Sequence, residues 1–318
     1  LLLGAVALAL AYGSASAQGS AAPAPAAPGA EAPRPQPIRL RTFHKPEEGF
    51  AALAEAARTH NERELLRLLG EAGRALIRSG DPVADRAARD KFAGEYAEKH
   101  EVLFPAPDRA VLQVGNDEWP LPIPMVLRGG FWRFDARLGA QELVDRRIGR
   151  NELDTIETLR AIVDAQDEFA RTAGRAGAFR TYARRFFSTP GQHDGLYWPT
   201  REGEPESPLG PLVAAASAGG YARRGEAPTA LHGYYFRILE SQGPSAPGGA
   251  FDFVVNGRMI GGFGVIAHPA QYSASGIMTF IVSHRGVVYQ RDLGPDTERT
   301  ARAITSFDPG EGWTKVEE

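Results

Sequence analysis

Apolar residues recur at helical spacing three times before the chain turns to strand-like alternation. Phe50, Leu53, Ala54 and Ala57 follow Pro46, Glu47 and Glu48, a proline and two acids placed for the first turn of a helix. Asn61 is placed to cap a second helix carrying Leu65, Leu66, Leu68 and Leu69, which should stop at Gly70. Asp81-Pro82 should open a third, with Val83, Ala87, Phe92 and Tyr96 on one side. Strand signals follow. Val111, Leu112 and Val114 precede the turn residues 115–117, and 120–127 and 131–135 read as strands around Gly129-Gly130. Prolines at 120, 122 and 124 remove donors from one strand edge only. An edge strand or the lead-in to one is expected, with Leu121, Ile123 and Met125 on a common face.

From Leu138 to Thr172 the pattern is helical, with an expected break near Gly149 and Asn151 recapping the second half. There Leu153, Ile156, Leu159, Ile162, Val163, Gln166, Phe169 and Ala170 form one stripe. Tyr182, Phe186 and Phe187 should end a short helix, and Ser207 to Leu212 should lead into another. Beyond His232 an antiparallel sheet is expected. Its strands are 233–239, 251–255, 258–267, 277–282 and 287–290, with a hairpin turn at Asn256-Gly257 and a bulge or close backbone approach at Gly261-Gly262. Asp296 is placed to cap a last helix ending near Ile304.

The first twelve residues are apolar and lead to Ala15-Ser16-Ala17, so 1–17 reads as a signal peptide lacking its basic n-region, cut before Gln18. A bilayer span needs about 20 apolar residues, and no transmembrane segment is expected in the mature chain. Residues 18–41, rich in Pro and Ala, read as a linker, and the folded parts as 42–135 and 136–318. The expected localisation is the periplasm or the exterior.

Composition narrows the chemistry. The 318 residues contain no cysteine, which removes disulfides, thiolate metal sites and a cysteine nucleophile. The net charge of −3 argues against nucleic acid as a partner. Arg146, Arg147 and Arg150 form a small basic cluster, read by default as a solvated face and alternatively as a docking point for an anionic surface. No zinc helix, nucleophile elbow, phosphate loop or dinucleotide fingerprint occurs, and none of the seven histidines has metal-ligand spacing to another. No metal and no cofactor are therefore expected. His193-Asp194 is the most suggestive pair. It sits in a Gly- and Pro-punctuated loop beside Tyr197 and Trp198, and could be a base oriented by a carboxylate or a turn held by Asp194. The aromatics of 136–318 suit either a core or a glycan or peptide surface.

The helices and curved sheet of 42–135, closing on Trp132-Arg133-Phe134-Asp135, resemble the cone of the nuclear-transport-factor-2-like superfamily. That resemblance implies a pocket, for which Tyr96, His100 and Asp135 are the polar candidates. A helix before a small sheet opening on Gly233-Tyr234-Tyr235-Phe236, with a later hairpin of 279–282 and 286–289, resembles the head of type II secretion pseudopilins. Across 42–318 the chain resembles the bacterial exported proteins of domain-of-unknown-function family 2950. The segments that carry this are 79–85, 148–153, 194–199, 255–263 and 290–295. The overall expectation is an α+β protein, a cone-like part followed by a pilin-head-like part, acting as a non-enzymatic binding or assembly adaptor for an envelope protein or glycan. The alternatives are a small-ligand binder using the cone, and a hydrolase of envelope material using His193 and Asp194.

Overall fold

The structure, a computed structural model, describes residues 38–176, 179–221 and 229–317. The leader at 1–17 and nearly all of the 18–41 linker lie outside these residues. The described residues are α+β and pack around three hydrophobic cores.

Local signals place the first helices. α1 (Pro46–Arg58) has its proline in the first turn and buries Phe50, Leu53, Ala54 and Ala57. α2 (Glu62–Leu69) is capped by Asn61, whose side chain accepts the Glu64 N–H at 3.0 Å, and it ends at Gly70. A single turn, α3 (Arg74–Ile77), follows. α4 (Pro82–Glu98) is capped by Asp81, whose Oδ1 accepts from the Val83 and Ala84 N–H groups. Its expected apolar side is only half-buried, Ala87 is exposed, and its one buried side chain is Asp85.

β1 (His100–Ala106), β2 (Arg109–Val114), β3 (Trp119–Pro120), β4 (Met125–Arg128) and β5 (Phe131–Phe134) form an antiparallel sheet ordered β1-β2-β4-β5, with β3 on β2. The strand expected over 120–127 is split. Pro122 and Pro124 have no N–H, so 121–124 keeps only the Leu121 N–H to Leu112 O and Asp135 N–H to Pro124 O bonds and becomes the lead-in to β4. Leu121, Ile123 and Met125 do bury together, at 6%, 1% and 0% exposure. β1 carries no clear alternation, being half-exposed or exposed throughout, and escaped the sequence pattern.

α5 (Ala140–Arg171) is one unbroken helix of 32 residues, about 48 Å long. The expected break at Gly149 does not occur. Gly149 faces open space, and a helical glycine costs only about 1 kcal/mol, less than the burial of Ile148 and Ile156 around it returns. Asn151 does not recap; its side-chain amide donates to the Ser275 carbonyl at 2.8 Å. Leu153 is exposed, outside the buried stripe. Ala140 packs in the first core, and Ile156 to Phe169 in the second.

Among the described residues between α5 and Phe187 there is no helix where a short one was expected. β6 (Arg175–Ala176) pairs antiparallel with β7 (Phe179–Arg180). The next backbone is claimed by distant partners: Gln166 pairs through its amide with both backbone groups of Ala183, at 2.8 and 2.9 Å, and Tyr182 N–H donates to Met259 O. α6 (Gly210–Ala218) begins where expected.

β8 (Tyr234–Leu239) opens the C-terminal sheet. Two small antiparallel pairs follow, β9 (Ser241–Gln242) with β10 (Phe251–Asp252), and β11 (Val254–Val255) with β12 (Arg258–Met259). The latter turn at Asn256-Gly257 has positive φ at both residues, 49° and 76°, the tight hairpin geometry. β13 (Gly264–Pro269), β14 (Met278–Ser283), β15 (Val288–Asp292) and, after α7 (Thr297–Ala303), β16 (Thr314–Lys315) complete the sheet, ordered β16-β15-β14-β13-β8. Phe280 and Val282 face the second core with α5; Ile266 and Ile281 face the third, with Ala301 of α7 and Phe307. Burial on both faces explains why β13 and β14 read as continuous apolar runs. Asp296 stands at the cap position of α7 without a capping hydrogen bond and pairs instead with Arg299.

Candidate functional site

An open groove of about 480 Å³ lies where the end of α5 meets residues 181–185, 193–194, 240 and 257–259. The ties of Gln166 to Ala183 and of Tyr182 to Met259 lay residues 181–185 between the helix end and the β11–β12 turn. Arg184 and Arg185 then face outward, both exposed. Arg184 meets Glu240 in a two-point pair at 2.8 and 3.0 Å, which raises the guanidinium pKa. Arg185 donates to Thr189 Oγ1 at 2.8 Å and lies 3.5 Å from Asp194 Oδ2.

Asp194 holds the loop. Its Oδ1 accepts the Thr189 N–H at 2.7 Å and its Oδ2 the Thr189 hydroxyl at 2.8 Å. Desolvation pushes its carboxyl upward, but the two Thr189 donors and Arg185 outweigh it, and the pKa lies below 3.8. His193 serves a different neighbour: its ring stacks on Trp198 with centroids 4.2 Å apart and planes at 16°. Tyr197 packs edge-on against Phe187 and is bound into the loop through its backbone. Arg258 lines the groove from the β11–β12 turn, exposed, and its side chain has no hydrogen bond or ion pair among the described residues.

The three candidates of the N-terminal part are not brought together. Tyr96 and His100 stack on each other at 3.9 Å, and His100 Nδ1 lies 2.8 Å from the Tyr96 carbonyl. They stand at the β1 edge of the sheet, whereas Asp135 follows β5 at the opposite edge, 4.0 Å from Arg128. Phe50, Leu68, Leu112, Ile123 and Met125, each at most 1% exposed, pack in the core beneath that sheet.

A second constellation escaped the sequence reading altogether. Asp81 Oδ2 accepts from the Tyr221 hydroxyl and the Gly233 N–H, each at 2.8 Å, while its Oδ1 caps α4. Burial, with Asp81 beside it, raises the Tyr221 pKa. Gly233 has φ 76°, and a Cβ there would stand 2.6 Å from the Asn151 amide, so the crossing requires glycine. Arg147 is not part of a solvated basic face. Only 14% exposed, it donates to the carbonyls of Ala75, Leu76 and Ala274 and lies 3.8 Å from Asp85. Asp85 accepts the Ser79 N–H on both oxygens; burial nevertheless raises its pKa, and burial lowers that of Arg147. The spacing of these residues along the chain gave no signal, because their partners lie up to 152 residues away.

Among the described residues no group of three or more His, Asp or Glu could hold a metal ion, and no helix is long and apolar enough to cross a membrane. A family model described as "Protein of unknown function (DUF2950)" matches residues 40–316. The chain belongs to this family. No curated protein and no solved structure matches it. The segments that carried the family resemblance fall at both constellations. Asp194 of 194–199 and Arg258 of 255–263 line the groove, and Asp81 and Asp85 of 79–85 sit with Asn151 of 148–153 around the buried contacts.

Proposed function

We propose that this family member is exported to the periplasm or beyond and acts there as a non-enzymatic binding or assembly adaptor, taking its ligand in the groove between α5 and the β11–β12 turn. The observation that carries this reading is the commitment of Asp194. Both of its oxygens are bonded to Thr189, and the His193 ring lies flat on Trp198, an arrangement that holds a surface in shape rather than moving a proton. The long apolar opening and the small-residue site before Gln18 support export. In this reading the N-terminal part is a cone-like scaffold and the C-terminal part a pilin-head-like one.

The test is expression from the natural gene, osmotic-shock fractionation and sequencing of the mature N-terminus, followed by turnover assays on envelope polymers and ester and peptide reporters. The mature chain should begin at Gln18 outside the cytosol and release no product. An uncut cytosolic chain overturns export. Turnover abolished by His193→Ala overturns the non-enzymatic reading in favour of a hydrolase.

A further inference from the structure

We infer that the groove takes a carboxylate-bearing saccharide; the inference rests on the groove being the binding surface. Three guanidinium groups face it, and their partners are unequal. Arg184 is neutralised by Glu240 and Arg185 by Asp194. Arg258 has no side-chain partner among the described residues. Arg258 is thus the lining guanidinium left without a carboxylate, and its planar fork matches one. A polyphosphate or nucleic acid needs several free cations, and this site offers one.

The remaining chemistry selects a sugar as the bearer of that carboxylate. Sugar hydroxyls donate and accept at the same atom, and each Arg–carboxylate pair presents a donor beside an acceptor. The exposed His193 ring, steadied by Trp198 at 4.2 Å, is a flat platform of the kind that covers the C–H face of a pyranose. A volume of about 480 Å³ lies within the roughly 300–1,000 Å³ of small-molecule sites, and the open side lets a chain continue past it.

Calorimetric titration of the full chain with a glucuronic-acid tetrasaccharide, the neutral glucose tetrasaccharide and tetraglutamate tests this. The acidic sugar should bind at least about tenfold more tightly than the neutral one, the value of one charge-assisted hydrogen bond, and more tightly than tetraglutamate, which can meet Arg258 but has no pyranose face for the His193 ring. Arg258→Ala should erase the preference for the acidic over the neutral sugar, and His193→Ala should weaken both sugars alike. Both positions are exposed, and unchanged circular dichroism and melting will show that each variant folds. Tetraglutamate binding as tightly as the sugar, Arg258→Ala keeping the acidic preference, or no saccharide binding at millimolar concentration overturns the inference; none of these touches export or the adaptor role. Release of reducing ends with the acidic preference intact has the opposite meaning: the ligand class stands and the non-enzymatic reading falls.

Discussion

Replacing Arg147 with methionine removes the cation that ties α3 to the loop before β14. Its guanidinium donates to Ala75 and Leu76 on one side and to Ala274 on the other, beside the buried Asp85 carboxylate. Methionine keeps most of the stem packing, so the loss falls on polar terms. Three carbonyls lose a charged donor, and Asp85 loses the stronger of the two cations acting on it, keeping only Arg89. Breaking one side of a buried pair typically costs about 3–5 kcal/mol. The methionine escapes the cost of burying a charge, so we expect about 3 kcal/mol. Urea unfolding followed by circular dichroism and by tryptophan fluorescence measures it, Trp132 reporting the first core and Trp313 the third. Removing Asp85 as well, as Arg147→Met with Asp85→Leu, should recover part of the loss, because no buried charge is then left alone. The pH dependence has a definite sign. Burial already lifts the Asp85 carboxyl above 3.8 while Arg147 pulls it down, so the variant lifts it further. An acid whose pKa is higher folded than unfolded binds its proton more tightly when folded. Its penalty is absent below the unfolded value and grows as pH rises through the folded one. The variant's deficit should therefore be largest at neutral pH and shrink on acidification towards 3.8. A deficit under about 1 kcal/mol, or one independent of pH, would mean that Arg147 does not hold Asp85 and the three carbonyls in this way.

Three further outcomes follow from single contacts. Gly262→Ala should destabilise by about 2 kcal/mol in the same urea experiment, since φ is 133° and a Cβ would meet the His284 ring at 2.4 Å. Asn61→Ala should cost about 1 kcal/mol through the lost cap of α2, and Asn61→Asp should restore it. Asp194→Ala should speed hydrogen exchange at the Thr189 amide while leaving exchange in β13 and β14 unchanged. The wild-type loop should loosen in the same way as pH falls through the depressed Asp194 pKa, because a carboxylate with a lowered folded pKa contributes its stability only while ionised.

Much of the secondary structure was legible because its determinants act within one turn of chain. Pro46, Asn61 and Asp81 mark helix starts through their own backbone and side chain, and Asn256-Gly257 dictates its hairpin by φ alone. The same holds for the Asp194 turn, whose partner is five residues away. What sequence pattern misplaced has a common cause in distant partners. Residues 181–187 carry helix-compatible side chains, yet Gln166 and Met259 capture their backbone, and Gly149 stays helical because both ends of α5 are buried in separate cores.

The family, the α+β class, most helix starts and the turn that positions Arg258 were readable from the order of residues alone. Tertiary structure alone decided that Asp85 and Arg147 face each other in the interior, that Asp135 stands apart from Tyr96 and His100, and that Arg258 keeps its charge free while Arg184 and Arg185 are neutralised. The physical reason is one of range. Capping and turn geometry are settled by neighbours along the chain, whereas the state of a charge depends on which groups folding brings within about 4 Å of it.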